Sequence, residues 1–180
     1  YITKTGQFKI GLLPSVYKRC IELGIKPIIV DMRQPLPKVS KVVTQIGKYK
    51  LRPEQEKAVK AILSNKLGET PFQIGVLDYT VNAGKTLIMS ALYLSYKKQL
   101  KTLLITNDSD WLNQARDEFK QYLPGEDITF VQGKVLNWNN FTIGMVQSIS
   151  RNMKYYQNEL AKIDMVLIDE ADQGGSKQYQ

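Results

Sequence analysis

The chain has 180 residues, with 25 Lys and Arg, 17 Asp and Glu, one cysteine and no histidine. Without histidine there is no Ser-His or Cys-His nucleophilic pair and no His-bearing metal helix, and the lone Cys20 builds neither a disulfide nor a Cys-rich zinc site. The net charge of +8 sits wholly in residues 1–50, where ten cations face Glu22 and Asp31, while residues 51–180 balance.

From the N-terminus, Leu12, Leu13, Val16, Cys20 and Leu23 recur at helical spacing, with Pro14 near the start and Gly24 past the end. Residues 27–30 are β-prone. Residues 34–50, with Pro35, Pro37 and scattered lysines, read as a linker. Residues 1–50 thus form a small, basic αβ unit with a linker, suited to polyanion phosphates or, equally, to solvation alone.

Beyond residue 50, Pro53 followed by Glu54 and Glu56 starts a helix with Gln55, Ala58, Val59, Ile62 and Leu63 on one face, ended by Gly68. A strand is expected at 74–77, a helix from about Lys85 and a strand at 103–106. A further helix carries Trp111, Leu112, Ala115, Phe119 and Tyr122, and strands are expected at 128–131, 141–146 and 165–168. Strands alternating with helices predict an α/β fold with a parallel sheet built from right-handed βαβ units. Such sheets bind ligands at the carboxyl ends of their strands.

Two such ends carry chemistry. The first reads Asp78-Tyr79-Thr80-Val81-Asn82-Ala83-Gly84-Lys85-Thr86. A small-residue loop leading into Gly-Lys-Thr and a helix can cradle phosphates: loop N–H groups and the helix N-terminus face the anion, lysine neutralises it and the hydroxyl meets Mg²⁺. The strict P-loop pattern is broken by Tyr79 at its first glycine. The second end, Met165 to Asp172, is an apolar strand running into Asp169-Glu170-Ala171-Asp172. There Asp169 can join the Mg²⁺ shell and Glu170 can orient and deprotonate a water. Taken alone, such an acidic cluster is a solvated loop with helix caps; two phosphate-chemistry signals in one sheet point to a nucleoside triphosphate with Mg²⁺.

These residues carry a resemblance. Thr80 to Thr86 resembles motif I, and Asp169-Glu170-Ala171-Asp172 resembles motif II, of the superfamily-two helicases. Leu51-Arg52-Pro53-Glu54-Gln55 resembles the segment opening their first RecA-like domain. The resemblance implies a three-layer, RecA-like P-loop domain over 51–180 that binds ATP through Arg52, Gln55, Thr80, Asn82, Ala83, Gly84, Lys85 and Thr86. It implies catalysis by Lys85, Asp169 and Glu170, with Mg²⁺ held through Thr86 and Asp169. Residues 103–114 and 144–148 are similar to the motifs that touch the track, which implies nucleic-acid contacts at Gln114 and Gln147. Asn82, Asp108 and Met145 depart from the usual residues.

Gly11-Leu12-Leu13-Pro14 and Asp31-Met32-Arg33 make the whole similar to phage UvsW-type repair and recombination helicases. The function this implies is ATP-driven movement along, or remodelling of, branched DNA. A DEAD-box-like RNA helicase, a packaging ATPase and a non-hydrolysing nucleic-acid-binding module are the alternatives. The motifs stop at motif II, so a second RecA-like domain is expected to lie outside the chain, which alone would hydrolyse ATP slowly or not at all. Cysteine usage reads as cytoplasmic, and no apolar run approaches the roughly 18 residues of a membrane span.

Overall fold

The computed structural model describes residues 6–33, 37, 39, 41–72, 74–78, 83–96, 98–107, 109–132, 134–135 and 138–169. Packing divides the chain into two units: Tyr1–Leu36 with Lys60–Gly75, and Pro37–Val59 with Val76–Gln180.

In the first unit a 3-10 turn, Ile10–Leu12, runs into helix α1, Leu13–Glu22, which has Pro14 in its first turn. The helix follows its apolar periodicity, yet none of its residues is fully buried. Residues 27–30 form no strand; Ile28 is 87% exposed and Val30 75%. A β-prone run without a partner strand gains no ladder, and propensity alone does not make one. Gly68 does not end the preceding helix. It turns a small hairpin, β3 (Lys66–Leu67) with β4 (Thr70–Pro71). Its φ of +62° suits glycine, and a Cβ there would meet the Tyr17 hydroxyl at 2.9 Å. Arg33 grips Asp31 through Nε and Nη2 and donates from Nη2 to the Pro71 carbonyl at 3.1 Å. Those bonds hold the Asp31 carboxyl at about 2.

The second unit opens with another hairpin, β1 (Gln45–Ile46) with β2 (Tyr49–Lys50), inside the stretch that reads as a linker. The Val43 N–H donates to Ser95 Oγ at 3.0 Å, and Tyr49 meets Tyr122 edge-on at 5.0 Å. The packing boundary therefore departs from the charge boundary at residue 50. Residues 41–50 pack with the second unit, and residues 66–71 with the first. Helix α2, Pro53–Ser64, starts in the second unit and ends in the first.

The body of the second unit is a parallel sheet in the order β6-β7-β5-β8, comprising β5 (Thr102–Thr106), β6 (Ile128–Val131), β7 (Phe141–Met145) and β8 (Met165–Ile168). Helices α3 (Lys85–Ser95) and α4 (Ser109–Tyr122) contribute Met89, Tyr93, Leu112, Ala115 and Phe119 to one face, against Leu104, Phe141 and Ile143. Helices α5 (Val146–Arg151) and α6 (Met153–Leu160) contribute Ile149 and Tyr156 to the other, against Leu103 and Val131. Successive residues of β5 thus point to opposite cores, which is why its sequence is continuously apolar rather than alternating. These three layers are the α/β, RecA-like architecture expected. Phe141 packs on Tyr93 and Phe119, each at 5.0 Å between ring centroids, and truncating such a buried ring to alanine costs about 3–5 kcal/mol.

Residues 74–78 carry no regular structure, so the strand expected at 74–77 is absent; Val76 is 83% exposed. Among the described residues the sheet edges are β6 and β8, and neither pairs with these residues.

One buried carboxylate stitches the sheet to its helix. Glu159, on α6, accepts from Lys101 Nζ at 2.8 Å and from Lys162 Nζ at 2.7 Å. Those hydrogen bonds hold its carboxyl at about 2. Because the folded value lies below the unfolded one, the stabilisation is complete above roughly pH 4.5 and drains away as pH falls toward 2. In urea titrations the wild-type advantage over Glu159→Gln should be constant above about pH 5 and shrink steadily below it. A gap independent of pH down to 2 would contradict this account.

Candidate nucleotide site

Helix α3 begins immediately after Gly84, whose φ is +78°, and no side chain among the described residues caps that end. Lys85 is half-buried and Thr86 is 8% exposed. The first turn holds no acidic residue, so the partial positive charge of the helix end is reinforced by Lys85 and opposed by nothing within it. The α3 N–H groups, the Lys85 ammonium and the Thr86 hydroxyl are the groups at that end that could hold a phosphate.

Arg52 and Gln55 fasten the loop ahead of this helix. Arg52 precedes the first residue of α2, and its carbonyl accepts the Glu56 N–H at 2.9 Å. Gln55 Oε1 accepts the Arg52 N–H at 2.9 Å, the return bond of a capping box. From its other end, Gln55 Nε2 donates to the Ala83 carbonyl at 2.7 Å, and Arg52 Nη2 donates to the same oxygen at 2.7 Å. Gln55 is only 2% exposed. These two residues both start the helix and hold the Ala83 carbonyl. The Gln-at-N3 spacing was the sequence signal for the cap. Nothing in the spacing signalled Ala83.

The other motif follows a strand of the sheet on which α3 packs, whereas the loop ahead of α3 has no strand before it among the described residues. Asp169 follows β8, is 6% exposed, and its N–H donates to the Ile105 carbonyl at 3.0 Å. The register pairs Ile105 with Ile168, so the carboxyl ends of β5 and β8 run level and Asp169 emerges beside residues 106–107. A buried carboxylate at a strand end suits Mg²⁺, a hard, oxygen-seeking ion. Among the described residues no three His, Cys, Asp or Glu side chains gather.

Thr80, Asn82 and Glu170, together with Tyr79, Val81 and Asp172, lie outside the described residues. Gln147 sits just past β7, where its Nε2 donates to the Asn107 carbonyl at 3.4 Å, joining the ends of the adjacent strands β7 and β5. Its Oε1 is buried without a hydrogen-bond partner among the described residues. Gln114 stands apart from this cluster, exposed on α4 and donating to Glu118 Oε1 at 3.0 Å. A separate cavity of about 640 Å³, with Ile46, Tyr49, Leu94 and Tyr122 in its walls, lies at the opposite ends of α3 and α4 and shares none of these residues.

Residues 48–180 match the family described as "Type III restriction enzyme, res subunit". The chain is also 27% identical, over 130 residues, to "Putative ATP-dependent RNA helicase L396" of Acanthamoeba polyphaga mimivirus. That alignment covers 72% of this chain and 24% of the mimivirus protein, so the chain spans about a quarter of that relative's length. No helix among the described residues is long and apolar enough to cross a membrane.

The clamp on Ala83 makes Gly84 a sensitive position. A Cβ at Gly84 would lie 2.4 Å from Gln55 Nε2, in addition to the strain of a left-handed backbone. Gly84→Ala should destabilise the second unit by roughly 1–3 kcal/mol. The loss should be smaller in a Gln55→Ala background, where the clash is absent. Equal losses in both backgrounds, measured by urea unfolding, would contradict the close contact.

Proposed function

The chain belongs to the type III restriction enzyme res-subunit family, a superfamily-two helicase family, and from that premise we propose that it is the ATP-binding part of a nucleic-acid helicase or translocase. The observation that carries this reading is the uncapped α3 N-terminus, with Lys85 and Thr86 in its first turn, in one unit with the buried Asp169 at a strand end. ATP is the substrate. Its phosphates lie against the α3 N-terminus, where Lys85 neutralises the β and γ oxygens. Thr80, Asn82, Ala83 and Gly84 shape the loop around them. Thr86 and Asp169 hold Mg²⁺, which offsets the charge of the phosphates when bound. Glu170 orients a water and takes its proton.

Arg52 and Gln55 face the base. Each end of the Gln55 amide already holds one bond to the chain, which leaves one N–H and one lone pair to read adenine. Because the same side chain grips Ala83, reading the base also steadies the phosphate loop. Gln147 and Gln114 contact the track, and residues 1–50 act as a basic accessory that grips it.

The track we propose is DNA, in branched form, in keeping with the UvsW-type resemblance and with a family named for restriction enzymes. A second reading, RNA, is favoured by the name of the mimivirus relative. In this reading, full turnover needs a second RecA-like domain in addition to the one described.

Lys85→Ala should weaken ATP affinity by roughly tenfold or more, the loss expected of a charged hydrogen bond. Glu170→Gln should leave affinity within about twofold while lowering turnover, in a chain that includes the second domain, by roughly a hundredfold or more. Unchanged turnover in Glu170→Gln would remove Glu170 from the base role. Nucleic-acid stimulation of that turnover by DNA but not RNA, or the reverse, decides the track.

A further inference from the structure

Between Asp127 and Glu159 the sequence holds no acidic residue and three cations, Lys134, Arg151 and Lys154, all exposed. Lys134 follows the end of β6, while Arg151 and Lys154 flank the junction of α5 and α6 beyond β7. Because β6 and β7 pair in parallel, Lys134 and the start of α5 leave the sheet at the same edge.

Two large apolar side chains are exposed at that junction, Met153 at 51% and Tyr155 at 41%. A single exposed hydrophobe needs no explanation; these two sit among cations in an acid-free stretch. The Tyr155 ring is also held in place. It meets Tyr156 edge-on at 5.3 Å, and Tyr156 is fully buried against Trp138 at 5.0 Å. The Tyr156 hydroxyl accepts the Val135 N–H at 3.2 Å, which fixes the ring beside the β6 end. Lys134 Nζ stands 5.5 Å from the Tyr155 ring centroid. An exposed ring anchored on a buried aromatic pair, with an ammonium beside it, is prepared for a flat, anionic partner. Nucleic acid supplies both properties in each nucleotide, a π face and a phosphate.

We infer that Tyr155, Met153, Lys134, Arg151 and Lys154 form a platform for a single strand of nucleic acid, with one base stacked on Tyr155 and phosphates at the cations. This rests on the proposal that the track is nucleic acid, and it names a grip that the motif resemblance does not include. Lys134 steadies the ring in the free protein and turns to a phosphate when a base arrives. The stacking is indifferent to sequence, since every base has a face to offer.

The test is fluorescence anisotropy of labelled oligo(dT) and oligo(U) against the 180-residue chain over a range of salt. Tyr155→Ala should weaken binding about tenfold, and Tyr155→Phe should stay within about twofold of wild type. Lys134→Gln with Lys154→Gln should lower the slope of log affinity against log salt by roughly 0.7 for each phosphate no longer neutralised, which a merely structural role would not do. Should Tyr155→Ala fail to fold, photocrosslinking of an iodouracil oligonucleotide to the wild type, followed by peptide mapping, replaces it, with the adduct expected within 151–158. Wild-type affinity and salt slope in all variants, or an adduct elsewhere, would overturn the platform and leave the nucleic-acid reading standing. No oligonucleotide binding by the wild type at low salt would overturn both.

Discussion

Parallel pairing of β5 with both β7 and β8 is the constraint on which the second unit depends. Parallel strands cannot be joined by tight turns, and the connections from β5 to β6 and from β7 to β8 supply α4 on one face and α5 with α6 on the other, with α3 leading into β5. The same rule sends all strand ends in one direction. Asn107, Gln147 and Asp169 reach one edge because β5, β7 and β8 end there, although some 60 residues separate the first from the last in sequence. Packing on the two faces and chemistry at the edge are therefore consequences of one pattern of hydrogen bonds.

The nucleotide half-site depends on a second, local device. Gly84 gives the α3 N-terminus no side-chain cap, and the Ala83 carbonyl just ahead of it is held by Arg52 and Gln55. One glutamine closes a helix cap on one side and fastens the loop carbonyl on the other. A site that binds anions well is a site whose N–H groups are left without protein partners, and that arrangement requires support elsewhere.

Much of this was legible. The strands at 128–131 and 165–168, the helix from Lys85 and the helix through Phe119 follow from period and caps, because burial on one or two faces writes itself into apolar spacing. Short hairpins did not show. Residues 45–50 and 66–71 have two-residue strands, too short for any alternation, and their turns are marked only by Gly47 and Gly68. Helices α5 and α6 escaped for a related reason: at six and eight residues they complete barely two turns. The opposite error, strands read at 27–30 and 74–77, came from trusting β-branched composition where no neighbouring strand offers a ladder. In the site, the sequence pointed to Lys85, Thr86 and Asp169 through their places at strand and helix ends. The bond from Gln55 to Ala83 spans 28 residues, and no spacing rule reaches that far.

The central claim is that ATP with Mg²⁺ binds at the α3 N-terminus and at Asp169. Amide hydrogen exchange of the 180-residue chain, with and without Mg·ATP, tests it most directly. The account predicts saturable protection over residues 83–88 and at 169, absent in Lys85→Ala, while β6 and α6 stay unchanged. Saturable binding with protection confined to other segments, or no protection at millimolar Mg·ATP, would contradict it.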